Sequence, residues 1–282
     1  MLITITKIYA FFYLFIRSFF SINIPGLGFF LRRIKKDFIL EFRGNKMFFN
    51  HKVASSYGLH IIGLPQEKET HLFLDFLFDS LKEKFSFVDV GANVGAFLIH
   101  ASSNKNAILY GFEPFKECIL AIENSLKING VNDYHLFNNL VGDKDEYVYF
   151  NTSIDAEGAS VYNNSNLQSA QLVTQIKLDS LLINIESPSI WLIDVEGYEP
   201  KVLEGGKNLI KKLKPLIIFE YNKEVSKKHF SITDIQELLG NEYKIYRLNY
   251  QGNLDADVEN AWNCVAIPNN TFFSELLEKK IH

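Results

Sequence analysis

The sequence predicts an α/β fold with a mostly parallel, doubly wound sheet and helices on both faces. From residue 85 onward, short apolar runs alternate with stretches of helical periodicity. Nearly continuous apolar strands separated by helices are typical of a parallel sheet that is buried on both sides. A glycine-bearing turn at residues 91–95 directly follows the first apolar run, where folds of this class bind ligands.

The predicted elements follow in order along the chain of 282 residues. Residues 38–50 predict two short strands turned at Gly44-Asn45, and residues 67–83 predict a helix. The predicted sheet strands are 85–90, 107–112, 134–141, 189–193, 216–219, 244–248 and 264–267, and the predicted helices are 95–102, 115–129, 200–213 and 231–239. We divide the chain into an N-terminal segment (1–36), lead-in strands and helix (37–84), a main domain (85–268) and a C-terminal helix (269–282).

The N-terminal segment is basic and aromatic. Residues 1–43 hold seven basic residues against two acidic ones, and the apolar run of residues 8–16 ends at Arg17. A bilayer-spanning helix needs about 20 apolar residues, so we expect a helix lying in the membrane interface, with residues 8–36 in peripheral contact. A helix docked on the main domain or on a partner is one alternative. A true span or a signal peptide is the other.

Composition narrows the partners and the compartment. The small net charge of −4 gives no reason to expect a nucleic-acid partner. Cys118 and Cys264 lie far apart and are expected to be buried apolar residues of a reducing compartment. We therefore expect a cytoplasmic protein, at the inner face of the membrane where its N-terminal segment binds lipid. The seven histidines show no paired spacing, and His100 is expected to be a packed or surface residue.

The glycine turn and the end of the next apolar run indicate a nucleoside cofactor. Gly91 and Gly95 allow the backbone to approach a ligand closely. Glu113 ends the second run and is placed to accept both hydroxyls of a ribose. Asn93 stands where a dinucleotide-binding turn has its second glycine, and the carboxylate of Asp89 opposes a diphosphate. These features favour S-adenosylmethionine (SAM) over NAD.

Several motifs together resemble the FkbM-type methyltransferase family. They are Asp-Val-Gly-Ala-Asn-Val-Gly at 89–95, Phe-Glu-Pro at 112–114, Val-Gly-Asp at 141–143, Ile-Asp-Val-Glu-Gly-Tyr-Glu at 193–199 and Phe-Glu-Tyr-Asn at 219–222. The resemblance covers roughly residues 40–268. It implies a class I methyltransferase fold with a seven-stranded sheet, and methylation of hydroxyls on sugars or secondary metabolites.

The resemblance also implies roles for single residues. The methionyl-binding loop is matched by Asp89, Gly91, Asn93 and Gly95, the ribose ligand by Glu113, and the region flanking adenine by the stretch from Asn139 to Gly142. Leu192 departs from the family pattern, which commonly has lysine at this position. Any role of that lysine toward Asp194 is therefore absent here.

The reaction centre is expected at the carboxyl ends of the fourth and fifth strands. Asp194 and Glu196 follow the fourth strand, and Glu220 and Asn222 follow the fifth. Asp194 is the first candidate for the base that takes the hydroxyl proton or orients the acceptor, and Glu220 is the second. The side chains of Asp194, Glu220 and Asn222 also offer oxygen ligands to a divalent metal. Glu196 and Glu199 are alternatively interpreted as caps of the following helix.

The sequence thus predicts a SAM-dependent O-methyltransferase that modifies a saccharide or glycolipid in cell-envelope glycan or secondary-metabolite biosynthesis. A nicotinamide-dependent oxidoreductase and a non-catalytic SAM-binding protein are the alternatives. The missing third glycine and the acid at Asp89 weigh against the oxidoreductase. The Ser- and Asn-rich loop at 151–171 is expected to be a substrate lid.

Overall fold

A large central sheet organises the protein. The computed structural model describes residues 2–20, 26–151, 170–181, 185–222 and 226–281. Its helices are α1 (Leu2–Phe20), α2 (Leu27–Leu31), α3 (Lys68–Ser80), α4 (Ala96–Ala101), α5 (Lys116–Ile128), α6 (Glu199–Gly205), α7 (Lys207–Leu213), α8 (Ile232–Leu239) and α9 (Phe272–Leu277), with a long 3-10 segment at His51–Ile62. Its strands are β1 (Phe38–Phe42), β2 (Asn45–Phe49), β3 (Phe85–Val90), β4 (Ala107–Phe112), β5 (Tyr134–Phe137), β6 (Leu140–Val141), β7 (Glu146–Asn151), β8 (Ala170–Ile176), β9 (Ser189–Ile193), β10 (Leu216–Glu220), β11 (Tyr243–Leu248), β12 (Leu254–Asp255) and β13 (Asn263–Pro268).

The strand order of the main sheet is β12-β11-β13-β10-β9-β3-β4-β5. Strands β10, β9, β3, β4 and β5 are parallel, and β13 is antiparallel to both of its neighbours. The predicted doubly wound, mostly parallel sheet is confirmed. The described residues form eight strands rather than the predicted seven, because the two residues of β12 pair with β11 at the edge. The chain leaves β3 in one direction and returns at β9 on its other side, so the switch point lies between these strands.

The apolar strands are covered on both faces, as their composition predicts. Strands β3, β4, β9, β10 and β13 are buried along their whole length. One core packs α3, α4, α5 and α9 on the first face, and a second core packs α6, α7 and α8 on the other. Trp191 is fully buried, and its indole N–H donates to the Ser189 hydroxyl at 2.8 Å. Burying one such side chain contributes about 1.5–3 kcal/mol.

Three predicted elements need correction. The turn of the β1–β2 hairpin is Arg43-Gly44 rather than Gly44-Asn45, because both residues take positive φ angles and Phe42 pairs with Asn45. The predicted strand 134–141 is two strands, since Asn138 donates to the carbonyls of residues 113 and 114 between them. Strand β6 then joins a separate sheet of order β6-β8-β7. The predicted helix 200–213 is broken at Gly206, which packs against Trp191.

The predicted substrate lid falls largely outside the described residues. Residues 152–169 are not described, so the prediction for this loop stays a prediction. The strands that flank it, β7 and β8, pair in antiparallel register with Asn151 opposite Ala170. The two ends of the loop are therefore adjacent.

The N-terminal helices share a third core with the hairpin and the 3-10 segment. Ala10 and Leu31 are fully buried in it beside Phe42, Phe49 and Tyr57. The buried face of α1 packs on the rest of the protein through this core. The outer face of α1 exposes large apolar side chains, namely Ile8, Phe11, Phe12 and Phe15. Within the described residues, no helix combines the length and the hydropathy that crossing a bilayer requires.

Candidate active site

The loop between β3 and α4 has the conformation that its residues require. Gly91, Asn93 and Gly95 all have positive φ angles, of 88°, 48° and 81°. The two glycines were predicted to let the backbone approach a ligand, but the structure shows a packing reason for them. A Cβ at Gly91 would lie 1.9 Å from the carbonyl oxygen of Asp194, and one at Gly95 would lie 2.7 Å from Ile122. The glycines thus allow the loop to pack against β9 and α5, which fixes its path past the cavity.

Glu113 holds this loop from the end of the neighbouring strand. Its Oε2 accepts the backbone N–H of Asn93 at 2.8 Å, and its Oε1 accepts the N–H of Phe115 at 2.9 Å. Burial raises the pKa of Glu113 to about 7, although both hydrogen bonds act in the opposite direction. A carboxylate accepts about four hydrogen bonds, so each oxygen retains a lone pair for a ribose hydroxyl.

The carboxyl group of Asp89 is buried without a partner. The residue is 1% exposed, and in the described part of the chain neither of its oxygens has a hydrogen bond. Burial and the nearby carboxyls of Glu113 and Glu67 raise its pKa well above the usual range. A buried acceptor without a donor is costly, so a positive charge on a nearby ligand would stabilise the ionised carboxylate. Asp89 itself is not among the described residues that line the cavity beside the loop.

A cavity of about 1360 Å³ opens above the loop. On one side its wall includes Leu140, Phe115 and Phe150, and the two aromatic rings meet edge to face at 5.5 Å. On the other side it extends to α1 and α2, through Tyr13, Leu14, Leu27, Leu31 and Arg32. The cavity thus joins an apolar slot near the strand ends to the N-terminal helices.

Acidic side chains converge on the floor of the cavity. Ligand atoms of Asp194, Glu196 and Glu220 lie within 4.8 Å of one another. Burial first, and then the carboxyls of Glu220, Glu67 and other neighbouring acids, raise the pKa of Asp194 well above its usual value. Burial and the same kind of repulsion raise the pKa of Glu220 to about 9. Asp194 is therefore a stronger base than an exposed aspartate.

The predicted metal ligands lie close together. Asn222 lies beside Glu220, and its Nδ2 donates to Glu220 Oε1. Glu196, at a positive φ of 55° after β9, adds a third carboxylate to those of Asp194 and Glu220. Glu199 accepts the N–H groups of Val195 and Gly197, at 3.1 and 3.4 Å, and so holds the turn that carries Glu196.

The remaining predicted cofactor residues differ in position. Asn139 lines the cavity, and its Nδ2 donates to the Thr174 carbonyl at 3.4 Å. Gly142 is not part of the cavity wall that the described residues form; a Cβ there would lie 2.5 Å from Gln175. Sequence reasoning did not single out Glu67, which lies on the cavity wall and acts electrostatically on both Asp89 and Asp194. Its only sequence signal is an acid at the start of a predicted helix.

The charge and shape of this site fit SAM better than a dinucleotide. Burial and neighbouring carboxyls, Glu67 among them in each case, raise the pKa values of Asp89, Asp194 and Glu220, and a sulfonium or ammonium group relieves that repulsion. A pyrophosphate would increase it. Glu113 keeps acceptor lone pairs that suit ribose hydroxyls, and the apolar slot that Phe115, Leu140 and Phe150 line on one side offers an apolar surface for adenine. The class that this fold and site define is that of SAM-dependent methyltransferases.

Comparison with known proteins gives the family. The family model described as the methyltransferase FkbM domain matches residues 89–250, more than half of the chain. The chain belongs to the FkbM methyltransferase family. Membership decides against the nicotinamide-dependent alternative. No protein of curated function matches the sequence.

Solved structures give weaker matches. A methyltransferase FkbM from Methylobacillus flagellatus is 16% identical over 77% of this chain, with a TM-score of 0.47. The match covers 54% of that protein's length. An rRNA methylase from Streptococcus thermophilus is 12% identical, with coverages of 72% and 97% and a TM-score of 0.41. A SAM-dependent methyltransferase from Aquifex aeolicus is 11% identical, with coverages of 73% and 93% and a TM-score of 0.40.

Proposed function

We propose that this protein transfers a methyl group from SAM to a hydroxyl of a saccharide or glycolipid acceptor. The observation that carries the proposal is the pair of carboxyls at Asp194 and Glu220, which meet on the cavity floor beside the glycine loop. A hydroxyl is a poor nucleophile until a base takes its proton. A carboxyl that burial and like charges make more basic is suited to that task.

The chain's residues divide the work of the reaction. When bound, SAM supplies an electrophilic methyl group on a sulfonium. Asp89 would favour the positive end of the cofactor through its charge from behind the loop, and Glu113 would hold its ribose. Asp194 would take the proton of the acceptor hydroxyl, whose oxygen would then carry the methyl group. Glu220 shares the cavity floor with Asp194 and is the second candidate for the base. Holding the acceptor hydroxyl next to the methyl group would supply much of the rate.

The extent of the cavity supports an amphiphilic acceptor at the membrane. The cavity reaches α1 and α2, whose outer surface exposes Phe11, Phe12 and Phe29 to 58, 52 and 54%. The guanidinium of Arg33 lies 3.3 Å from the centre of the Phe29 ring. Aromatic side chains beside basic ones are the combination that binds the surface of an anionic bilayer. We place the protein in the cytoplasm, at the inner membrane face, with a glycan or small-molecule acceptor rather than nucleic acid.

The same acidic floor supports a second candidate, in which a divalent cation binds the acceptor hydroxyl. Asp194, Glu196 and Glu220 are carboxylates, the ligands that Mg²⁺ and Ca²⁺ prefer. Chelation distinguishes the two. Transfer by Asp194 as the base survives exhaustive treatment with EDTA, whereas metal-assisted transfer is lost and returns with added Mg²⁺.

The test of the proposed function is methyl transfer to a cell-envelope extract. We expect tritium from methyl-labelled SAM to enter an envelope glycan or glycolipid, and Asp194→Asn to lower the rate at saturating SAM by about 100-fold or more. Glu123→Gln, on the outer face of α5, is the matched control. Labelling by Asp194→Asn at the wild-type rate would exclude Asp194 as the base. Binding of SAM without transfer to any extract would favour the non-catalytic alternative.

A further inference from the structure

A chain of hydrogen bonds leads from the protein surface to the cavity wall. Nη2 of Arg43 lies 2.6 Å from both carboxylate oxygens of Asp75. Oδ1 of Asp75 is 2.7 Å from Nε2 of His100, and the Nδ1 atoms of His100 and His71 are 2.9 Å apart. Asp75 is 40% exposed at its side chain, whereas the two histidines are 5% and 1% exposed. The series ends at His71, which lines the cavity.

The chemistry of the groups determines where each proton lies. Although burial raises it, hydrogen bonds from Arg43 and His100 hold the pKa of Asp75 below its usual value, so its carboxylate only accepts. Nε2 of His100 must therefore carry the proton that it donates, and its Nδ1 keeps a lone pair. The short contact between the histidines then requires a proton on Nδ1 of His71. Nε2 of His71 is left as a hydrogen-bond acceptor.

Packing fixes the ring of His71 in this orientation. The imidazole stacks on Phe97 with centroids 4.6 Å apart and an interplanar angle of 21°, and Phe42 meets it edge to face at 5.7 Å. Burial, and then the charges of His100, Arg43 and His60, hold its pKa well below the usual value. The ring is therefore neutral at physiological pH, and its second nitrogen keeps the lone pair.

The position of His71 relates this ring to the reaction centre. It lies one turn after Glu67 along the start of α3, and its backbone N–H donates to the Glu67 carbonyl at 3.2 Å. Glu67 in turn lines the same space as Asp194 and Glu220. His71 also shares the cavity wall with Arg43 and His60. Phe115 and Phe150 line the slot assigned to the cofactor, so we assign the wall at His71 to the acceptor.

We propose that Nε2 of His71 accepts a hydrogen bond from a hydroxyl of the acceptor, and that His100 and Asp75 are positioning residues that fix its tautomer. The proposal rests on the proposed function, because it assigns a contact of the acceptor within that same cavity. It restricts the acceptor to a molecule that presents a second hydroxyl or an amide N–H here. A carbonyl or carboxylate at this position would meet a lone pair and be disfavoured.

The tautomers can be measured on the wild-type protein without any acceptor. Long-range proton–nitrogen NMR spectra of protein with labelled histidines distinguish protonated from unprotonated ring nitrogens. His135→Gln, which changes an exposed histidine on β5, and His71→Gln assign the signals. We expect an unprotonated Nε2 on His71 and an unprotonated Nδ1 on His100 from pH 6.5 to 8. A protonated Nε2 on His71 would overturn the proposal, whatever the protein's activity.

The second test measures methyl transfer to the envelope extract. His71→Phe keeps the stacking on Phe97 but removes the acceptor, and we expect it to lower transfer about 10- to 100-fold with unchanged SAM affinity. His71→Gln, which places an amide oxygen near Nε2, should recover part of the rate. His100→Leu should lower transfer, and His100→Asn, with an oxygen near Nδ1, should restore it. Wild-type transfer by folded His71→Phe contradicts the proposal. An inactive wild type would instead count against the proposed function, and the tautomers would then decide this proposal alone.

Discussion

The backbone N–H of Asn93 donates to Oε2 of Glu113 at 2.8 Å and so joins the glycine loop to the end of β4. The carboxyl that we propose as the ribose ligand is therefore also a structural support of the glycine loop. Gly91 contributes to the same arrangement, since its N–H and that of Ala92 both donate to the Phe112 carbonyl at 3.0 Å. The loop and Glu113 support each other. Only conservative substitutions such as Glu113→Gln can therefore separate the contribution of Glu113 to SAM binding from its contribution to the loop.

Glu113→Gln should weaken SAM binding about 10- to 100-fold, because the amide loses the charge and one of the two acceptor oxygens. Isothermal titration with SAM measures the change. Glu123→Gln removes a carboxylate from the exposed face of α5 and should leave the affinity unchanged. Equal affinity of Glu113→Gln and wild type would remove Glu113 from the cofactor site.

Gly91→Ala should destabilise the fold far more than Gly130→Ala. Both glycines have positive φ angles, of 88° and 71°, and so both changes carry the left-handed penalty of about 1–2 kcal/mol. Only at Gly91 does the new Cβ meet another atom, the Asp194 carbonyl oxygen at 1.9 Å; the space at Gly130 is open. We expect about 3 kcal/mol or more for Gly91→Ala from urea unfolding. Similar losses in both variants would contradict the close packing of loop and β9.

The free energy of unfolding should fall as the pH rises from 6.5 to 9. Glu220 holds its proton in the folded state up to about pH 9, whereas an unfolded glutamate loses it near 4.5. The folded state thus binds more protons in this window, and its advantage disappears as the pH passes through the folded pKa. The pKa values of His60 and His100 are lowered to about 4, so these two residues change the free energy of unfolding only below about pH 6.5.

The slope should be about 1 kcal/mol per pH unit, and Glu220→Gln should reduce it. Urea unfolding at several pH values measures both. A stability that rises over this range in the wild type would mean that Glu220 is ionised in the folded protein.

The N-terminal surface should bind anionic vesicles. We expect the wild type to sediment with phosphatidylglycerol vesicles and much less with phosphatidylcholine. Changing Phe11 and Phe12 to Ser should lower binding roughly 10-fold or more, because two exposed rings no longer enter the interface. Phe272→Ser, at a ring of similar exposure on α9, is the control. Equal binding of the double variant and wild type would leave docking on the protein as the only role of α1.

The sequence predicted the features that depend on local pattern. Strands such as β3 and β9 are buried on both faces, and their nearly uninterrupted apolar residues predicted that burial. The turn at residues 91–95 and the acid at Glu113 followed from spacing, because parallel strands place their carboxyl ends at one edge. The burial of both cysteines was predicted and is confirmed.

Contacts between distant elements were beyond sequence reasoning. His71 and His100 lie on different helices and show no spacing pattern, so their contact depends on how α3 packs against α4. Glu196 joins Asp194 and Glu220 at a position with a positive φ, which no local motif required. The reason for Gly91 likewise appeared only with the fold, since its neighbour Asp194 is far along the chain.

Calorimetric titration of the purified protein with SAM and with NAD tests the central claim most directly. The acidic floor and the unpaired Asp89 predict that SAM binds at one site and that NAD does not. SAM binding should also release protons below pH 7, because a cationic ligand favours the ionised forms of Glu113 and its neighbours. Binding of NAD without binding of SAM would contradict the assignment of this site.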